Sequence, residues 1–253
     1  MGQSMDAACP RPAPVGRVTT WTFRFSEGPT AWDWTDGPPD PRLLQSIRTP
    51  QSTEKSRHIP VQAYSMTLGG SIRVESGVEH DLVRELDRDP DVVWLVSQPV
   101  RLRLVTANGR PRVHTPDLLS MDQREEVTIW DVRPAEKQDE KFAESRDLTS
   151  QACADVGWRY RVFDGGDRIR RYNLRWLTAY RMPMPWYPNA RQELIAICSP
   201  ADATIGTVLA ADKGAGHLTS AMWHHAWAGL LVIDLDQPLR RTSGVAIRQG
   251  VLP

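Results

Sequence analysis

The sequence predicts an α/β protein: a mixed sheet flanked by helices, with a small helical module and a hairpin at the C-terminal end. Three observations predict it. Apolar residues recur at helical spacing in two stretches, 75–88 and 167–180. Around them lie short runs rich in Val, Ile, Leu and aromatics, bounded by Gly, Pro and Asn-Gly. Beyond the proline-rich segment 181–188 the pattern changes to short helices and a last pair of apolar runs. At 253 residues the chain fits one large domain or two small ones. The expected division is an irregular N-terminal arm over 1–60, an α/β domain over 61–182 and a helical module over 189–253.

Residues 1–16 are small, polar and proline-bearing, and are expected to be disordered. The alternation Trp-Thr-Phe-Arg-Phe over 21–25 reads as a strand. Residues 26–57 hold Gly37-Pro38-Pro39, several Asp and few aliphatics, and read as a long irregular loop. A short strand over 61–65 precedes Gly69-Gly70. In the helix over 75–88, Val78, Leu82 and Leu86 recur every four residues with Val83 beside them, and Ser76 stands in the first turn. Asp89-Pro90 stops it.

Strands are expected over 92–96 and 100–105, a hairpin turn at Asn108-Gly109, and further strands over 113–120 and 127–133. A helix over 138–156 ends at Gly157, whose missing Cβ permits the left-handed turn. A strand over 158–163 leads to the helix over 167–180, with Ile169, Tyr172, Trp176 and Tyr180 along one face. Three helices follow, over 191–198, 203–211 and 217–230. The hairpin pairs 231–235 with 243–248 across Gln237-Pro238. No internal repeat is visible.

Charge is balanced, 31 Lys and Arg against 31 Asp and Glu, so a polyanionic partner would need a local basic surface. The cysteines, Cys9, Cys153 and Cys198, are widely spaced. That spacing excludes a disulfide framework and a zinc signature, and fits a reducing cytoplasm. No run of about 18 apolar residues predicts a transmembrane helix. The N-terminal residues lack a secretory apolar core, and Asp6 breaks the myristoylation pattern.

Two segments carry the chemistry: His114-Thr115-Pro116-Asp117-Leu118-Leu119-Ser120 and Ile129-Trp130-Asp131-Val132-Arg133-Pro134. Each reads as a short apolar strand bearing one acid, and neighbouring strands would bring Asp117 and Asp131 together. Adjacent carboxylates repel unless a proton or cation lies between them. Oxygen donors favour Mg2+ or Mn2+. Glu79, at the edge of its helix's apolar face, would complete a three-carboxylate site, with the backbone carbonyl of Val132 as a further ligand. Phosphodiester hydrolysis is the matching chemistry. The plainer readings are a solvated helix acid for Glu79 and a turn residue for Asp117. Asp131 should face opposite to Trp130 and Val132. His114 would touch a phosphate or, more simply, be satisfied by backbone.

Arg168, Arg171 and Arg175 form one stripe at i, i+3 and i+7, and Arg159 and Arg161 alternate on the preceding strand. This surface would either grip DNA phosphates without sequence preference or be an ordinary solvated face. The helix over 217–230 contains Trp223, His224, His225 and Trp227 but no Lys or Arg, so it predicts packing or protein contact rather than base readout. Arg240 and Arg241 would reach backbone phosphate from the hairpin. The His224-His225 pair has no partner at metal-ligand spacing.

The two acidic segments resemble the metal-dependent nucleases of the PD-(D/E)xK type. From about Tyr64 to Arg181 the chain further resembles the TnsA-like family, the endonuclease subunit of heteromeric transposases. The residues that carry the likeness are Glu75-Ser-Gly-Val-Glu79, Asp91-Val92 through Gln98-Pro99, Thr115-Pro-Asp117, Asp131-Val-Arg-Pro134 and Asn173-Leu-Arg-Trp-Leu177. The resemblance implies a restriction-endonuclease-like mixed sheet flanked by helices, followed by a winged-helix-like domain. It implies an enzyme that cuts one DNA strand at transposon ends, beside a DDE-type transposase subunit and an AAA+ regulator.

Carried over, Glu79 and Asp117 are the metal-binding acids, Asp131 takes the first position of the (D/E/Q)xK strand, and Gln98 helps order the site. Arg133 stands where that motif has lysine. Arginine keeps the charge but does not deprotonate, so the site is either served electrostatically or weakened. Lys137 and Lys141 are candidates for a migrated amine or, more simply, solvated helix-start lysines. Two other readings stay open: a stand-alone defence or repair nuclease, and a catalytically silent DNA-binding or scaffolding subunit.

Overall fold

The computed structural model of the chain describes residues 16–48 and 61–249. Expectations for 1–15, Cys9 among them, and for 49–60 lie outside those residues. The protein is mixed α/β, with four sheets and six α-helices among the described residues. No described helix is long and apolar enough to cross a membrane.

The expected irregular arm over 1–60 is corrected in its described part. β1 (Arg17–Phe25) and β2 (Gly28–Ala31) form a hairpin, followed by single 3-10 turns at Trp34–Asp36 and Pro41–Leu43. The alternation recognised at 21–25 extends back to Arg17, because β1 pairs antiparallel with a strand some eighty residues later. Trp21 and Phe23 face inward, and Trp34 and Trp158 meet their rings edge-on. Tertiary pairing, invisible in the local composition, recruits the arm into the body of the protein.

β3 (Val61–Ser65) and β4 (Gly70–Val74) form a ribbon under α1 (Gly77–Arg88). Ser76 caps α1 by accepting from the Glu79 amide. β5 (Val92–Ser97) and β6 (Val100–Val105) follow as expected. The expected single strand over 113–120 is two. β7 (Pro111–His114) pairs with β6, while β8 (Leu118–Asp122) pairs with β5 and with β9 (Val127–Val132). Thr115-Pro116-Asp117 is the corner between two sheets: proline offers no amide to continue a ladder. α2 (Glu140–Asp155), capped by Asp139, and β10 (Arg159–Phe163), parallel to β9, complete this part.

The strand orders are β2-β1-β6-β7 and β10-β9-β8-β5. The second sheet is the middle layer. Leu119, Met121, Val127 and Ile129 pack on one side against β1, β6 and Cys153 of α2. Leu118, Trp130 and Val132 pack on the other against α1 and the β3–β4 ribbon. Successive side chains on a strand point to opposite faces, so the odd positions of β8 and β9 serve one core and the even positions the other.

α3 (Arg168–Thr178) differs from expectation. The face proposed for burial, Ile169, Tyr172, Trp176 and Tyr180, leaves Tyr172 and Trp176 about half exposed, at 53% and 51%. Asn173, Leu174 and Leu177 are buried instead. They join the core of α4 (Tyr187–Cys198), α5 (Ile205–Ala211), α6 (His217–Trp227) and the short pair β11 (Leu231–Val232) and β12 (Ala246–Ile247). The Asn173 amide donates to the carbonyls of both Leu235 and Gln237 at 2.8 Å. The division at 182 therefore moves: α3 precedes the proline-rich linker in sequence but packs into the C-terminal core. α6 behaves as its composition predicts, burying Met222, Trp223, Ala226 and Trp227. His224 and His225 each lie within hydrogen-bonding distance of a backbone carbonyl, those of Tyr180 and Tyr187.

Candidate functional site

A cleft of about 760 Å³ opens where the N-terminus of α1, β7, the end of β9 and the start of α2 meet. Glu79, Asp117, Asp131, Val132 and Arg133 all line it, as do His114, Lys137 and Lys141.

Asp117 sits on the corner just before β8. Its amide donates to the Trp130 carbonyl at 2.9 Å and its carbonyl accepts from the Gln98 amide at 2.8 Å, so two other segments fix its backbone. One step past the last registered pair, Leu118 with Trp130, the chain brings Asp117 toward Asp131. Asp117 Oδ2 accepts from the Val132 amide at 2.6 Å. Burial, then the Asp131 carboxylate, push the Asp117 carboxyl well above the usual range, with Glu79 and Glu75 adding to the rise and the Val132 amide opposing it. Four acids therefore share one field.

Asp131 is 2% exposed and faces opposite to Trp130 and Val132, as its position in the strand predicts. Its Oδ2 lies 2.8 Å from His114 Nε2 and accepts from the Tyr160 hydroxyl at 2.5 Å. Burial, reinforced by Asp131, raises the proton affinity of that phenol and keeps it a donor. His114 is thus satisfied by a carboxylate and not by backbone, which corrects the simpler expectation. Tyr160 was invisible to motif reading: it acts through the parallel pairing of β10 with β9, and nothing in its own neighbourhood signals this.

Glu79 is 7% exposed, so it is not a solvated helix acid. It reaches back to accept from the Glu75 amide at 2.7 Å. This ties the two acids of the first motif to one helix end, where aligned amides favour negative charge.

As the side chains stand, no set of three His, Cys, Asp or Glu among the described residues is arranged to hold a metal ion. Two features nevertheless suit a hard cation. Oδ1 of Asp117 and Oδ1 of Asp131 accept no hydrogen bond among the described residues. The buried Thr115 Oγ1 and Gln98 Oε1, close to Asp117 along the chain or through its backbone bond, also lack partners. Oxygen donors with clustered negative charge match Mg2+ or Mn2+ better than a soft ion.

Arg133 Nε donates to the Lys137 carbonyl at 2.7 Å, and its guanidinium lies over the Phe142 ring. It lines the cleft but is held against the wall at the start of α2.

The arginine stripe of α3 is only partly a free surface. Arg175 makes a two-pronged pair with Asp81, at 2.9 and 2.6 Å, and Arg171 approaches the same carboxylate at 3.9 Å. Arg168 lies over the Tyr172 ring. On β10, Arg159 pairs with Glu126 and Arg161 lies over Trp130. Arg175 also lines the cleft.

The chain matches no known family profile, and no curated protein is similar to it.

Proposed function

We propose that this protein is a metal-dependent DNA endonuclease of the PD-(D/E)xK type, resembling the TnsA-like subunit of heteromeric transposases. The observation that carries the reading is the meeting of Asp117 and Asp131, fourteen residues apart in sequence, in one cleft beside the buried Glu79. Clustered carboxylates repel unless a proton or a cation lies between them, and a shared divalent cation gives all three acids one role. On this reading the middle sheet with α1 and α2 is a restriction-endonuclease-like core, and α4–α6 with β11 and β12 are a winged-helix-like domain.

Asp117, Asp131 and Glu79 would hold Mg2+ or Mn2+, with the Val132 carbonyl on the same strand as a further oxygen. What the ion supplies is Lewis acidity and charge neutralisation for phosphodiester hydrolysis. The chain's own groups do the rest. The Val132 amide orients Asp117, and His114 with Tyr160 orients Asp131. Arg133 offers positive charge to the phosphate without exchanging a proton. Lys137 and Lys141 line the same cleft and put an amine within the site's perimeter.

The activity, by resemblance, is cleavage of one strand at transposon ends, with a DDE-type transposase and an AAA+ regulator as partners. The compartment is the cytoplasm, which suits buried free thiols at Cys153 and Cys198. One observation favours a catalytically silent DNA-binding subunit: Arg133 donates to Lys137 and lies over Phe142.

A plasmid-nicking assay decides between them. With Mg2+ or Mn2+ the wild type should nick, and Asp117→Ala should not, while circular dichroism shows both folded. No nicking and no divalent-ion binding, even with a transposase present, would leave the silent reading.

A further inference from the structure

The protein is neutral overall, yet its charge is unevenly placed. The four strands β2, β1, β6 and β7 contain Arg17, Arg24, Arg101, Arg103 and Arg112 and no Asp or Glu. Register sorts these residues by face. Leu102 and Leu104 of β6 point into the core with Trp21 and Phe23. Arg101 and Arg103 point outward, opposite Thr22 and Thr20 of β1, and both are exposed. Among the described residues neither Arg101 nor Arg103 has a carboxylate within ion-pair distance, and the same holds for Arg17 and Arg24. The arginines that the sequence marked for DNA are, in contrast, largely committed: Arg175 and Arg171 to Asp81, and Arg159 to Glu126. An arginine already paired must release its partner before it binds a phosphate; an unpaired one need not.

We propose that the outer face of this sheet is a contact surface for duplex DNA, gripping the sugar–phosphate backbone without reading sequence. The proposal rests on the nuclease reading above and extends it to a face which that reading does not use. Residues two apart on a strand are separated by about 6.8 Å, equal to the axial rise of about two nucleotides of one DNA strand. Arg101 and Arg103 therefore suit a phosphate backbone running along β6, and the Thr20 and Thr22 hydroxyls beside them offer further donors. The four strands turn no aromatic ring outward, so a single strand finds no stacking platform, and duplex is the better fit. Arg112 and His114 of the edge strand β7 pair with Leu104 and Leu102, so they face the core side, where they line the acidic cleft, and Arg112 is already paired with Glu144. The outer arginines therefore form a surface separate from the cleft, on the other face of the same sheet.

The test is fluorescence anisotropy of a labelled duplex of random sequence, in EDTA so that nothing is cut, across a salt series. The proteins are wild type, Arg101→Glu/Arg103→Glu, and Arg168→Glu/Arg171→Glu, each checked for folding by thermal melt. Arg101→Gln/Arg103→Gln replaces the first pair if charge reversal unfolds it. The sheet variant should bind at least tenfold more weakly, and the slope of log K against log salt should shrink by about 1.8, the loss of two phosphate contacts. Single-stranded DNA of equal length should bind wild type more weakly than duplex. Wild-type affinity and slope in the sheet variant, or a preference for single strand, overturns the proposal and leaves the nuclease reading standing. Failure of wild type to bind duplex at all also overturns the proposal, while the nuclease reading is decided by the nicking assay with Mg2+ or Mn2+.

Discussion

The amide of Val132 donates to the carboxylate of Asp117 at 2.6 Å, so the last residue of β9 holds the acid that precedes β8. The bond opposes the burial and the neighbouring charges that push the Asp117 proton affinity up. Ionising Asp117 within the fold therefore costs free energy, which the Val132 bond offsets in part.

That cost predicts a stabilising substitution. Asp117→Asn keeps an acceptor for Val132 and removes one charge from the cluster. In EDTA at neutral pH it should raise the Tm above that of wild type. Adding Mg2+ or Mn2+ should raise the Tm of wild type and leave the variant nearly unchanged. A variant that melts below wild type in EDTA contradicts the electrostatic account.

Arg133 is the residue on which activity turns. Its Nε is spent on Lys137 and its plane on Phe142, so the guanidinium is less free to follow a reacting phosphate than a lysine would be. Arg133→Lys should raise the single-turnover nicking rate. Arg133→Ala should lower it by about a hundredfold, the scale of losing one positioned donor. Equal rates for all three would mean that position 133 takes no part.

Asp81 joins α1 to α3. Its carboxylate is 2% exposed and receives Arg84, Arg175 and Arg171. Asp81→Asn would leave these guanidinium groups half-buried against a neutral amide. Stability should fall by about 3 kcal/mol, the low end for breaking a buried pair. Urea unfolding should report a lower midpoint with an unchanged slope. Because Arg175 also lines the cleft, nicking should fall as well. A loss under about 0.5 kcal/mol would show that the cluster is dispensable.

His225 supplies a pH dependence away from the acids. Burial lowers its proton affinity, with His224 and Arg191 adding to the fall and the Tyr187 carbonyl opposing it. The unfolded chain thus takes up this proton at a higher pH than the folded one. Stability is fully present above the ordinary histidine value of about 6.5 and declines as pH drops through it. Thermal melts from pH 7.5 down to 5 should show that decline, and His225→Gln should flatten it. Parallel curves for the two proteins would rule the residue out.

Much of this architecture was legible in the chain. Residues 75–88 announce α1 through Val78, Leu82 and Leu86, and Ser76 and Asp89-Pro90 mark its ends, because helix periodicity and capping are local. The two aspartates were legible for the same reason: Asp117 stands just before β8 and Asp131 in β9, strands adjacent in sequence that pair with each other. What failed is non-local. β1 and β2 read as part of an arm because the strand that takes β1 into a sheet, β6, begins at Val100. Tyr160 escaped notice because parallel register, not spacing, delivers it to Asp131. On α3 the aromatic stripe outweighed Leu174 and Leu177 on hydrophobicity. Asp81 on one side and the C-terminal core on the other nevertheless fix the rotation that leaves Tyr172 and Trp176 outside.

The placement of α3 also sets where this polypeptide can be cut and recombined. Severed at the prolines of 181–188, the N-terminal piece would keep a helix with Leu174 and Leu177 stripped of cover, and the other piece would lose the amide that bridges Leu235 and Gln237. A chimera that respects the packing takes its crossover upstream of α3, in residues 164–167, which form neither helix nor strand, and keeps Gly165 and Gly166, whose positive φ angles other residues rarely adopt. Inheritance of the C-terminal module would then be inheritance of α3 as well, arginine stripe included.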